Sequence, residues 1–335
     1  MGLAGLLQPG KEKGSQVRIL NRIAVLPAVA IISLAAFALP AVAAQLSQDA
    51  RAAIPQSVQQ LIVVDYRAMQ NSPAAMALKA RVLPPELRQL EDALNSSGLN
   101  DNQDVEELAF AAFRVSGGGT ETVGLAQGQF SLPDILANFR KHKIQPKMLR
   151  TNRIYPMGRS GMLVSFLNPT TMVFGDSQAL KTALDARDGL TPSLLNNGAM
   201  LQQMRSVDSE PVWSILDQEG TQTMMRSVLG DASQLADYNT VKKRLLSSRY
   251  SMNFDHGVKF TLDVVTPDTV SAATMASLLN AAALYKKLSG TQTEKEAIDN
   301  TTIDSSGGTL AVSFSSSDDQ FSNLLHSDLF QSVVH

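Results

Sequence analysis

The period of apolar and polar positions changes several times along this chain, and each change marks an element. LIVVDYR, Leu61 to Arg67, is a β-branched run with the character of a buried strand. A helix is expected from Ser72-Pro73, where serine caps and proline suits the first turn. Pro84 and Pro85 must break or restart it before ELRQLEDALN. VEELAFAAFRV and ETVGLAQGQF read as two strands joined across SGGGT, so residues 116–119 form a hairpin loop in which glycine supplies positive φ. GQFSLPDILANF then passes from strand to helix. Ser131 is expected to accept from the first-turn amides and Asp134 to reach back to the Ser131 amide, while Leu132, Ile135, Leu136 and Phe139 make one apolar face. RIYPM, GMLVSFLN and TTMVFG follow as strands, and DSQALKTALDAR as a helix capped by Asp176 or Ser177.

Residues 188–210 read as a connector holding one helix around GAMLQQMRSV, after which the order starts again. PVWSILD is a strand, 218–237 is largely helical, and RYSMNFDHGVKFTLDVV is a hairpin turning at Asp255-His256-Gly257. Thr266-Pro267-Asp268 opens a helix through Lys287 with Met275, Leu278, Leu279, Ala282 and Tyr285 as its buried stripe. Beyond SGTQTEKEAIDNTTIDSSGG, TLAVSFS alternates as a strand and DDQFSNLLHSDLF closes the chain as a helix. Each half thus runs strand, helix, strand, strand, helix, strand or strands, helix, with Pro-Asp opening a helix at Pro133 and again at Pro267. The expected fold class is α+β: two tandem ferredoxin-like (split βαβ) modules with antiparallel sheets, spanning 45–190 and 211–335 with the connector trimmed to 191–210. Such a sheet carries its helices on one face, so two copies would either bury their bare faces together or join edges into one longer sheet.

Ahead of these modules, Lys11, Lys13, Arg18 and Arg22 precede an apolar run from Ile23 to Ala44 that carries no charge. This is the pattern of an export segment, and it has two readings. It is a signal peptide cut after Ala41-Val42-Ala43, for which Pro40 and the polar Gln45 and Ser47 speak, or an uncleaved anchor holding the membrane through residues 23–44. In both, the basic flank stays on the cytoplasmic side and the rest faces outward, in the periplasm or at the outer face of the inner membrane. Without residues 1–44 the chain keeps 25 basic and 30 acidic residues, a mildly acidic body.

Composition then removes chemistries. No cysteine is present, which excludes disulfides, thiolate nucleophiles and cysteine-based zinc sites. His142, His256, His326 and His335 hold no i, i+4 pair and no H-E-x-x-H, so no metal ligand set is legible. G-x-S-x-G and S-x-x-K do not occur; GRSGM, around Ser160, reads as a turn. SGGGTET lacks the spacing of a phosphate loop and lies between two strands rather than before a helix. NDNQD, Asn100 to Asp104, begins like a calcium loop, but Val105 stands where glycine is needed and Ala111 where glutamate is needed. No catalytic residue, metal ligand or cofactor site is assigned. Trp213 is the single tryptophan, too little for stacking platforms, and export separates the chain from nucleic acid.

One stretch carries a directional signal. FRKHKIQPKMLRTNRIYPMGR, residues 139–159, has no acidic residue, and Arg140, Lys141, Lys143, Lys147, Arg150 and Arg153 within it form a candidate docking surface for an anionic partner. The plainer reading of the same residues is a helix end followed by a solvated loop. The exported leader, the strand and helix of LIVVDYRAMQNSP, the acidic GLNDNQDVEEL and GQF before a short helix resemble uncharacterised bacterial exported proteins built from paired ferredoxin-like modules, over residues 54–187. That resemblance implies architecture and no activity. The functional expectation is a non-enzymatic envelope protein that binds a protein or an anionic envelope component through sheet edges or the basic stretch. The alternative is a hydrolase with carboxylates gathered between the modules. The sequence names neither the partner nor the oligomeric state.

Overall fold

The computed structural model describes residues 45–335 apart from 83–84, 97, 100, 116, 158–160, 230–235, 328–329 and 331–335. The export segment, Ser160 and His335 lie outside the described residues, and no described helix is long and apolar enough to cross a membrane. The chain enters with α1 (Gln48–Ala53), β1 (Val58–Asp65), α2 (Tyr66–Gln70), α3 (Pro73–Val82), α4 (Pro85–Ser96) and α5 (Asp101–Asp104). Next come β2 (Val105–Arg114), β3 (Thr120–Gly128), α6 (Leu132–Lys141), β4 (Lys147–Leu149), β5 (Asn152–Met157), β6 (Met162–Asn168), β7 (Thr171–Gly175) and α7 (Ser177–Arg187). A 3-10 turn over Leu194–Asn196 and α8 (Gly198–Met204) lead to β8 (Val212–Leu216), α9 (Gln218–Leu229) and α10 (Ala236–Lys242). The chain closes with β9 (Ser247–Asn253), β10 (Val258–Val265), α11 (Thr269–Ser289), α12 (Gln292–Asp299), β11 (Thr301–Ser306), β12 (Thr309–Ser316) and α13 (Asp318–Leu324).

All of these strands form one 12-stranded sheet in the order β11-β12-β10-β9-β8-β1-β2-β3-β7-β6-β5-β4. Every neighbouring pair is antiparallel. The fold is therefore α+β, but the strand order is not that of the split βαβ unit, in which the first strand lies parallel beside the third. Here β1 pairs directly with β2, its sequence neighbour among the strands, and the intervening α2 to α5 bring the chain back on the adjacent track. Outward from the central β1-β8 pair the two halves follow the same path, β1-β2-β3-β7-β6 on one side and β8-β9-β10-β12-β11 on the other. The join is an edge pairing, with Ile62 opposite Ser214.

Residue alternation decides what each face meets. On one face Leu61, Val63, Ala109, Ala111, Leu125, Val173, Trp213 and Ile215 pack beneath α1, α7 and α8. On the opposite face Ala126, Val164, Met172 and Phe174 lie under α4 and α6, and Leu262, Val264 and Leu310 under α9, α10 and α11. Among the described residues no helix covers the first face in the second half. Residues paired in line with Trp213 and Ile215 there are Ser251 and Arg249, then Thr261 and Asp263, then Ser313 and Ala311. They are half-buried or exposed, and Arg249 pairs with Asp263 at 2.7 Å.

Local chemistry follows the sequence closely at most junctions. Ser72 Oγ accepts from the Ala75 amide at the start of α3, Asp176 caps α7 through the Gln178 and Ala179 amides, and Asp268 caps α11 through Ser271. His256 and Gly257, at φ 60° and 101°, make the tip between β9 and β10. The junction at Ser131 differs: its hydroxyl makes no cap and instead donates to Asp134 Oδ2 at 2.5 Å. Tyr285 also differs. It is 70% exposed, as are its neighbours Leu284 and Leu288 at 60% and 78%, while Met275, Leu278 and Leu279 are buried and Ala282 packs against the core as expected. The stretch before TLAVSFS is not a plain link; it contains α12, capped by a Thr291–Glu294 box, and the edge strand β11.

Candidate functional site

The six basic residues singled out in sequence gather at one end of the sheet. Arg140 and Lys141 occupy the last turn of α6. Lys143 follows in the left-handed conformation (φ 56°), and the Ile144 amide donates to the Phe139 carbonyl, which closes the helix. Lys147 lies on β4, the outermost strand, and Arg153 on β5, one position from it in register. All six are exposed. Among the described residues Arg150 alone of them has an ion pair. It sits at the β4-β5 turn with φ 54° and reaches Asp185 and Asp188 at the end of α7. Hydrogen bonding to Asp185 raises the Arg150 pKa above its ordinary value. Burial works to raise the Asp185 pKa, but hydrogen bonds from Lys181 and Arg150 outweigh it and hold that carboxyl low. Asn152 adds to the same anchor, donating to Asp188 Oδ2 at 3.1 Å. Arg150 thus fastens the edge hairpin, and Arg140, Lys141, Lys143, Lys147 and Arg153 are left to face solvent.

Two further polar arrangements were not found from sequence. Across β1, β2, β3, β7 and β6 the register aligns Asp65, Glu107, Gln127, Thr171 and Asn168 into one transverse row on the face covered by α1. The N-terminal segment is fastened to this row: the Ser47 amide donates to Gln127 Oε1 at 2.7 Å, and Asn168 Nδ2 to Asp49 Oδ2 at 2.5 Å. Glu107 in its middle is 1% exposed, and neither carboxylate oxygen meets a hydrogen-bond partner. Burial first, then Asp65 and Glu106, push its pKa up to about 8 against the opposing Arg51. The strand alternation was the available signal, since Glu107 shares its parity with Ala109, Ala111 and Phe113.

On the other face a cavity of about 70 Å³ lies between α4 and the sheet, lined by Leu90, Leu94, Leu99, Leu108, Phe110 and Phe174 among others. Its polar boundary is a triad. Lys79 Nζ lies 2.5 Å from both Tyr66 Oη and Glu91 Oε1, and 4.5 Å from the Tyr66 ring centroid. Lys79 and Glu91 stand on opposite sides of Pro84 and Pro85, on α3 and α4, so no local pattern announces them. Among the described residues no group of histidines and carboxylates is arranged to hold a metal ion.

No family model matches the chain, and no curated protein matches it. Among solved structures, crystal form I of TP0453 is similar with a TM-score of 0.46 and 11% identity, over 85% of this chain and 99% of that one. Crystal form III of TP0453 gives 0.43 and 10%, over 82% and 96%. Likeness at this distance leaves the functional reading to the site geometry.

Proposed function

We propose that the chain is an exported cell-envelope protein without catalytic activity that docks an anionic envelope surface through the β4-β5 end of its sheet. The observation that carries this is that Arg140, Lys141, Lys143, Lys147 and Arg153, exposed and with no ion pair among the described residues, all fall at the β4-β5 end of a body that is otherwise mildly acidic. The uncharged run from Ile23 to Ala44 behind a basic flank supports export, to the periplasm or the outer face of the inner membrane. The matching paths of the two halves away from the β1-β8 pair support an internal duplication joined edge to edge. The relevant likeness to the expected tandem modules is thus in element order.

The test is sedimentation of the full chain with vesicles rich in phosphatidylglycerol and with vesicles of phosphatidylcholine. A cation near an anionic surface contributes about 1 kcal/mol at low ionic strength, so glutamine at Lys141, Lys143, Lys147 and Arg153 should weaken binding by about two to three orders of magnitude. Raising the salt should shrink that difference. Binding to phosphatidylglycerol that is indifferent to the four substitutions removes the reading. Arg150 is left intact because it holds the hairpin.

A further inference from the structure

We propose that the β11 edge of the sheet joins two copies of the chain, strand to strand across a two-fold axis, with their α11 helices packed side by side above the join. The two ends of the sheet are built differently. The β4 end is three residues long and carries Lys147, a means by which an edge discourages a further strand. β11 is six residues long, keeps an unbroken register with β12, and holds no lysine, arginine or proline. The phase of its ladder follows from the Ser315 amide, which donates to the Asn300 carbonyl at 3.3 Å. Even-numbered residues of β11 therefore bond to β12, and the amides and carbonyls of Thr301, Ile303 and Ser305 point away from the sheet. Among the described residues no strand pairs with them on that side. β4 lies at the opposite end, so a join at β11 leaves the basic edge of each copy open and stands or falls apart from the anionic docking.

A second copy fits this edge by symmetry. A two-fold axis at Ile303 sets Ile303 against its own mate and Thr301 against Ser305, so all three outward residues fall at hydrogen-bonded positions. Asp304, the one charge on the strand, then stands opposite Thr302 and not opposite itself. The helix above agrees. α11 packs on β11 and β12 and carries no charge from Thr269 to Tyr285, yet Val270, Leu284 and Tyr285 on it are exposed. It starts at the β11-β12 turn, where the Thr266 amide donates to the Gly308 carbonyl at 2.8 Å, and ends near the start of β11, where Lys287 pairs with Asp299. Ile303 lies about 17 Å along the strand from Gly308, a distance a helix covers in about eleven residues, so the axis passes within a turn of Ser277. About Ser277 the exposed row is symmetric in size, with Val270 and Leu284 equally far to either side and Ala273 and Ala281 likewise. In an antiparallel pair of α11 helices valine meets leucine and alanine meets alanine. A contact about 30 Å long and two layers, about 20 Å, deep covers about 600 Å² of each copy. The total of about 1,200 Å² is at the low end for specific interfaces and fits a dimer of about micromolar affinity.

The experiment is sedimentation equilibrium of the full chain, in a nonionic detergent that keeps the Ile23–Ala44 run dispersed, at concentrations about the micromolar midpoint. A monomer–dimer equilibrium is expected. Thr302→Lys sets an ammonium opposite Asp304 of the other copy, twice per dimer, and should tighten the dimer about fivefold, while Thr302→Asp sets carboxylate against carboxylate and should weaken it about fivefold. The same two exchanges at the exposed Ser306, which has Asn300 opposite it in this register, change net charge equally and should leave the affinity within about twofold of the parent. Ser305→Pro removes an outward amide without touching the β12 ladder and should give a folded monomer; if it does not fold, the Thr302 and Ser306 series decides. A monomer at every concentration, a dimer that survives Ser305→Pro in a folded chain, or Thr302 variants that shift no more than the Ser306 variants overturns the proposal.

Discussion

Replacing Glu107 by glutamine should abolish the pH dependence that this one buried carboxyl imposes on stability. The side chain is 1% exposed, with both oxygens unpartnered, and its pKa is pushed from 4.5 up to about 8, chiefly by burial. Below pH 4.5 the group is protonated in both folded and unfolded chains, and its contribution to stability is fully present. Between 4.5 and 8 the unfolded chain loses the proton and the folded chain keeps it, so stability falls by about 1.4 kcal/mol per pH unit. Over those 3.5 units the loss approaches about 5 kcal/mol, and above pH 8 it is complete. Glutamine carries no such slope. Its amide brings buried donors that cost about 1–3 kcal/mol if unmet, a constant offset in pH. Urea unfolding at constant ionic strength from pH 5 to 9 should therefore show the variant gaining on the parent up to about pH 8 and then keeping a constant difference from it. The competing physical account is an ion pair with Arg51, whose guanidinium opposes the shift. That pair would lower the carboxyl pKa and make the glutamine variant lose ground as pH rises. A flat or downward difference refutes the protonated carboxyl.

Two substitutions test the scaffold. A Cβ on Gly128 would lie 1.8 Å from the Asp104 carbonyl oxygen, a backbone atom that cannot turn aside, so Gly128→Ala should cost about 3 kcal/mol or more in chemical denaturation. At Gly124 the clash is with the Phe174 ring, and a smaller residue at 174 should recover part of the loss there but none of it at 128. Asp176→Ala removes the acceptor for the Gln178 and Ala179 amides and should cost about 1 kcal/mol, seen as faster amide exchange in the first turn of α7.

The elements were legible because their signals are local. A glycine run between alternating segments, or Pro-Asp after a strand, reports on φ and on first-turn amides within a few residues. Strand order is not local. The same succession of strands and helices fits a split βαβ unit or a meander, and only the pairing of Ile62 with Phe110 on one side and Ser214 on the other distinguishes them. β11 was missed because TTIDSS has one apolar residue and lies at an edge, where half its surface is solvated. Tyr285 was misplaced because an apolar spacing shows which face of a helix is greasy and not how far along it the core reaches, and beyond Ala282 the apolar residues Leu284, Tyr285 and Leu288 are exposed. At the basic edge the sequence located all six residues but could not separate Arg150, which is spent on α7, from those that are not. The Lys79–Glu91 pair and the Glu107 row depend on long-range packing and register.

The functional weight of the basic edge depends on how much of it structure already explains. Cations in the last turn of a helix are favourable at its negative end by about 0.3–1 kcal/mol, which accounts for Arg140 and Lys141. A lysine on an outermost strand discourages pairing with another chain, which accounts for Lys147 on the short β4. Arg150 is used in the hairpin anchor. Lys143 and Arg153 have no such reason. Lys143 even adopts a left-handed backbone that glycine or asparagine would accept more readily, and Arg153 faces solvent from a strand that β4 already shields. A surface serving only folding and solubility would tolerate asparagine and threonine at these two places. Their charge is what an anionic partner would read, and it is at these two residues that docking and mere solvation of a helix end part company.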